Sequence, residues 1–173
     1  MSTTVNFTGA VDGPDDIIWY APGASADHLW SGSASRVLPS TPVSLTGYWT
    51  PLQGDFDGDG WDAVLWYAPG ASTDRVWYGG PAGPQVVSVT VAGSYTAGVG
   101  DFDGDGRDDL LLDGGGTATD SRWRGTSTRG AFVRTPVALE GTSRLVVANI
   151  DGDDDDDVVV YRAGLQRPPF WGR

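Results

Sequence analysis

Apolar residues in this chain fall in short runs bounded by Gly, Pro and Asp: IIWY at 17–20, AVLWY at 63–67, DLLL at 109–112 and DVVVY at 157–161. No sustained 3.6-residue pattern joins them, so they read as short strands buried on both faces. The runs also recur. DDIIWYAPGASADHLWSG (Asp15–Gly32) matches DAVLWYAPGASTDRVWYG (Asp62–Gly79) at an offset of 47, and GDFDGDG occurs at both Gly54–Gly60 and Gly100–Gly106, 46 apart. A variant, ANIDGDD, follows at Ala148–Asp154. The third repeat holds four candidate strands, at Thr96–Phe102, Asp109–Asp113, Asp120–Gly125 and Ala131–Leu139.

Four strands per repeat at this period define a propeller blade. The expected fold is an all-β propeller of about four four-stranded blades, at approximately 3–47, 48–94, 95–142 and 143–173. The last repeat is too short for its outer strand. Four blades can close as a monomeric ring, or oligomerisation as a homodimer can complete a larger one, a partner strand covering the open edge.

Charge sharpens this picture. Net charge is −12, and of 23 acids only Glu140 is not Asp, the residue of turns rather than helices. Fifteen acids fall in Asp55–Asp62, Asp101–Asp109 and Asp151–Asp157; the remaining eight face eleven arginines. The acidity therefore belongs to three loops. The arginines are scattered, which argues against a nucleic-acid partner. Cysteine is absent, and the opening MSTTVNFTGA has neither a basic start nor an apolar run. No stretch reaches transmembrane length, so membrane insertion is not expected.

The loops carry the chemistry. In D-F-D-G-D-G-R-D-D (Asp101–Asp109), carboxylates at positions 1, 3 and 5 converge if glycines at 4 and 6 permit a tight turn. Asp101, Asp103, Asp105 and Asp109 are the expected side-chain ligands, with the Arg107 carbonyl. In the last repeat the set is Asn149, Asp151, Asp153 and Asp157, with the Asp155 carbonyl. The second repeat offers Asp55, Asp57 and Asp59 with the Trp61 carbonyl, but Ala63 stands at position 9, where the adjacent Asp62 could substitute. The first repeat aligns as Thr8, Ala10, Asp12 and Asp16, and no ion is expected there. All-oxygen ligation selects a hard cation, and Ca²⁺ suits a flexible loop better than Mg²⁺. Two to three Ca²⁺ per chain are expected.

GDFDGDGRDDLLL at Gly100–Leu112 resembles the FG-GAP/VCBS repeat of integrin-like β-propellers, and VLWYAPGASTDRVWYGG is similar to such repeats in secreted actinobacterial proteins. The resemblance covers nearly the whole chain. It implies a structural calcium loop between the first two strands of each blade, an extracellular location, and a role in adhesion, in lectin-like recognition or as a module attached to an enzyme. The sequence departs from the family in lacking FG before the loops, and GAP survives only as APG at Ala21–Gly23 and Ala68–Gly70.

Eight tryptophans raise the question of a ligand surface. Trp30, Trp77, Trp123 and Trp171 occupy one equivalent place in each repeat and read as packing between blades. Trp19 and Trp66 lie inside strands and read as core. Trp49 and Trp61 have no equivalents; with Tyr48 and Tyr78 they are the candidates for ligand contact, Trp61 having its side chain exposed. His28, the only histidine, reads as a surface turn residue or as a polar contact to a sugar. No nucleophile–base pair accompanies it, and acids that hold calcium are poor general acids, so the chain is not read as an enzyme. The leading expectation is a calcium-binding module for a glycan or an extracellular protein. An assembly module is the alternative, and an accessory or catalytic propeller of a glycan-active enzyme the third.

Overall fold

The computed structural model describes residues 1–11, 13–70, 73–116, 118–139 and 144–161, and the backbone of Phe170–Trp171. Among these residues the chain is all-β, in four antiparallel sheets whose strands follow one another in chain order. Sheet I contains β1 (Ser2–Val5), β2 (Asp16–Trp19), β3 (Asp27–Trp30) and β4 (Ser40–Val43). Sheet II contains β5 (Thr50–Gly54), β6 (Ala63–Tyr67), β7 (Asp74–Tyr78) and β8 (Gln85–Val89). Sheet III contains β9 (Thr96–Gly100), β10 (Asp109–Asp113), β11 (Ser121–Arg124) and β12 (Val133–Pro136). Sheet IV has three strands among the described residues: β13 (Arg144–Ala148), β14 (Asp157–Tyr161) and β15 (Phe170–Trp171).

The apolar runs become the second strands, and β6 and β10 are buried at every position. This is why they lack the alternation of a half-exposed strand. A repeated aspartate fastens each of the first three hairpins. Asp27 accepts the Ala21 and Leu45 N–H groups at 2.8 Å each, and Asp120 does the same for Gly114 and Leu139. Asp74 accepts the Ala68 N–H at 2.8 Å. These side chains are buried, and backbone donors replace the water they lose.

The chain divides into two compact units, one built on sheets I and II, the other on sheets III and IV together with the loop Gly54–Gly58. In the first unit Phe7, Ile18, Tyr20, Leu29 and Leu45 pack with Val64, Trp66 and Trp77. Tyr20 meets the Trp66 ring edge-on at 5.4 Å, and Trp66 meets Trp77 likewise at 5.5 Å. In the second unit Leu111 and Leu139 pack with Val158 and Val160. The first strand ends at Val5, so the first loop begins earlier than the Thr8 alignment placed it.

Candidate metal centres

Each loop between a sheet's first two strands sorts its aspartates into three tasks. Positions 1, 3 and 5 form the first. Glycines at positions 4 and 6 adopt left-handed backbone, with φ of 72° and 87° at Gly58 and Gly60 and 67° and 80° at Gly104 and Gly106. This conformation favours glycine and turns the loop back on itself. One carboxylate oxygen from each of Asp55, Asp57 and Asp59 then lies within 4.8 Å of the others, and Asp101, Asp103 and Asp105 converge in the same way. Asp101 caps its own turn, Oδ1 accepting the Asp105 N–H at 3.1 Å and Oδ2 the Gly106 N–H at 2.8 Å.

The Asp103 carboxylate is the informative member. Its Oδ2 accepts Arg124 at 2.7 Å and lies 3.1 Å from Arg122, while its Oδ1 is buried with no hydrogen-bond partner. A buried, unsatisfied carboxylate oxygen beside two further carboxylates is suited to holding a cation. In the other loop, Asp57 Oδ2 accepts Arg129 at 2.7 Å. Both triads can therefore hold a metal ion.

The last repeat is built differently. Asn149 Oδ1 accepts the Gly152 N–H at 2.7 Å, and its amide donates to the Asp153 carbonyl. Asp151 accepts the Asp153 N–H at 3.2 Å, and Asp153 the Asp155 N–H at 2.9 Å. Gly152 is left-handed at position 4, whereas position 6 is Asp154 and is not.

Position 8 has the second task, which sequence reading missed. Asp62 Oδ2 accepts the Asn6 N–H at 2.6 Å, Asp108 Oδ2 that of Asp55 at 2.7 Å, and Asp156 Oδ2 that of Asp101 at 3.1 Å. In return the N–H groups of Asp62, Asp108 and Asp156 donate to the carbonyls of Asn6, Asp55 and Asp101 at 2.8, 2.8 and 2.7 Å. The second, third and fourth repeats thus each clasp position 1 of the repeat before. Gly54 and Gly100 allow the approach: a Cβ on either would come within 2.7 or 2.6 Å of the clasping carboxylate. Burial pushes Asp108 up to about 6, reinforced by Asp55, Asp156 and Asp101 and opposed by the Asp55 N–H. The recurrence of Asp at offset 46–48 was the available signal, hidden inside an acidic run.

Two alignments change as a result. Asn6, not Thr8, stands at position 1 of the first repeat, with Phe7 matching Phe56 and Phe102, so that loop is two residues longer before Asp16. Asp12 lies outside the described residues. Asp62, the expected substitute at position 9, has its Oδ2 engaged by the Asn6 N–H and the Gln53 amide.

Position 9 has the third task. Asp109 is buried; Oδ1 accepts the Gly125 N–H at 2.8 Å and Oδ2 accepts Arg122 at 2.7 Å. Burial raises its pKa, and the Gly125 N–H and Arg122 oppose the rise. Asp16 brackets its loop likewise, accepting Thr8 at 2.6 Å and Gly32 at 2.7 Å, and Asp157 accepts Ile150 at 2.9 Å.

The remaining expected site residues are dispersed. Arg107 packs at the loop surface, its guanidinium paired with Asp105 at 2.6 Å. Trp61 is half-buried rather than exposed, and its indole N–H has no partner. Trp49 is half-buried against the first unit's core and donates its N–H to the Tyr20 hydroxyl at 2.8 Å. Tyr48 is 78% exposed. Tyr78 is buried in β7, so it offers no face to a ligand. His28 lies in β3, not in a turn, with Nδ1 2.9 Å from the Ser40 hydroxyl. Trp77 and Trp123 are buried as packing residues, Trp30 is half-buried, and the Trp171 side chain lies outside the described residues.

No helix of the described residues is long and apolar enough to cross a membrane. Compared with family models, curated proteins and solved structures, the chain matches none.

Proposed function

We propose that the chain is a calcium-binding β-propeller module without catalytic activity, whose ions brace the loops and whose outer surface recognises an extracellular glycan. The observation that carries the cation reading is the pair of identical loops that each converge three carboxylates, one with a buried, unsatisfied oxygen at Asp103. Asp101, Asp103 and Asp105 would hold one ion and Asp55, Asp57 and Asp59 another, with Asn149, Asp151 and Asp153 a third, weaker set. A bound ion supplies charge neutralisation to carboxylates that otherwise repel.

The propeller reading is supported by four consecutive antiparallel sheets at one repeat period, three of them four-stranded. The glycan reading is supported by exposed aromatic surface at Tyr48, since aromatic faces stack on sugar rings. A glycan array probed with calcium and with chelator tests it. Calcium-dependent binding that Tyr48→Ala weakens supports the glycan reading. Absence of binding in both conditions removes it and leaves the cation sites to be judged by direct calcium titration.

A further inference from the structure

The repeats make the same junction again and again, and sheets I and IV each leave one half of it exposed among the described residues. In the first unit, the face of sheet I bearing Tyr20 and Phe7 covers the face of sheet II bearing Trp66 and Trp77. The sequence offset assigns the counterparts. Trp19 and Trp30 occupy in sheet I the places of Trp66 and Trp77, while Tyr161 and Ile150 occupy in sheet IV the places of Tyr20 and Phe7. Their environments are opposite. Trp66 is 0% exposed but Trp19 44%; Tyr20 is 1% exposed but Tyr161 50%; Phe7 is 0% exposed but Ile150 52%. Trp19 and Trp30 are stacked on each other at 6.1 Å.

The polar clasp is unmatched at the same two places. Asp15 holds position 8 of the first repeat; its carboxylate is exposed and takes no hydrogen bond among the described residues. Asn149 holds position 1 of the last repeat, and no position-8 carboxylate among the described residues accepts its N–H. Apolar and charged halves are thus both complementary, and in the register that Asn6–Asp62, Asp55–Asp108 and Asp101–Asp156 use.

We propose that a second copy of this chain docks head to tail, its sheet IV face of Val146, Ile150 and Tyr161 covering Trp19 and Trp30, with Asp15 clasping the partner's Asn149 N–H. Such a contact is heterologous and closes when a second identical junction completes a ring. The inference does not depend on calcium or glycan binding.

The test is the solution mass by light scattering and sedimentation across a wide concentration range. The expected result is a dimer of the 18.2 kDa chain that dissociates on dilution. Trp19→Arg and Tyr161→Arg, each on an exposed face, should each give a folded monomer by circular dichroism. Mixing the two variants should restore a dimer, because one intact head meets one intact tail. Asp15→Ala should weaken association about a hundredfold, because the closed dimer holds two copies of this charge-assisted hydrogen bond. A wild-type monomer at every concentration overturns the proposal, as does a dimer that survives both arginine variants or a mixture that stays monomeric.

Discussion

The loops at Gly54–Gly60 and Gly100–Gly106 have the same seven residues, yet they are finished differently. After the second copy, Asp109 pairs with Arg122 and accepts the Gly125 N–H. After the first, Ala63 and Val76 stand in those two places, both fully buried, and the Gly79 N–H goes to the Asp62 carbonyl at 3.0 Å instead. An ion pair and its hydrogen bond have been exchanged for an apolar pair and a backbone bond. Removing both partners of a buried ion pair is close to neutral, whereas removing one is costly. Ala63 is therefore one half of a coupled replacement, not simply a missing ligand. The comparison separates the part of the loop that gathers carboxylates, which is the same in both, from the part that anchors it to its sheet, which is not.

The largest expected effect follows from that coupling. Asp109→Ala alone should destabilise the protein by about 3 kcal/mol, because it leaves the buried Gly125 N–H without its acceptor and takes from Arg122 the nearer of its two carboxylates. Asp109→Ala with Arg122→Val should recover most of that loss in urea unfolding, since it recreates the Ala63–Val76 pairing. If the double variant is as unstable as the single, the two loops are not alternative solutions of one problem.

Calcium removal should come next. At a hundredfold excess over its dissociation constant, one bound ion adds about 2.7 kcal/mol, so chelation should lower Tm measurably. Calcium should restore the Tm on readdition. Asp103→Asn and Asp57→Asn should each reduce that response, about equally, if the identical residues set affinity. A much larger effect at Asp103 would instead assign affinity to position 9.

The clasps should matter less. Asp62→Ala and Asp108→Ala should each cost about 1–2 kcal/mol, leaving the N–H of Asn6 or Asp55 without its acceptor. Asp108→Asn should cost less than Asp108→Ala, because the amide keeps an acceptor and drops a charge that burial and three neighbouring aspartates oppose. Comparable losses for Asn and Ala would mean that the charge itself holds the clasp.

Strands and loops were legible in the sequence because their signals are local: apolar runs, glycines at fixed offsets and a period of 46–48 residues. The turn that gathers Asp101, Asp103 and Asp105 follows from Gly104 and Gly106 alone. What was not legible is what depends on the neighbouring repeat. Asp62, Asp108 and Asp156 look like further loop acids, and only the adjacent repeat's backbone distinguishes their role. Asp109 reads from the sequence as a ligand alone, and its pairing with Arg122, thirteen residues later, is visible only in the sheet. The first loop was misaligned because its two extra residues moved the alignment from Asn6 to Thr8. Tyr78 misled because nothing in its own strand marks it as buried, yet it is 2% exposed.

The most direct measurement is a calorimetric calcium titration of the wild type beside Asp103→Asn and Asp57→Asn. The expected result is saturable binding at two or more sites, with each substitution weakening one site about tenfold and sparing the other, as ligand charge sets affinity. Absence of saturable heat in the wild type, or a wild-type isotherm unchanged by both substitutions, would contradict the assignment of the repeated carboxylates to calcium.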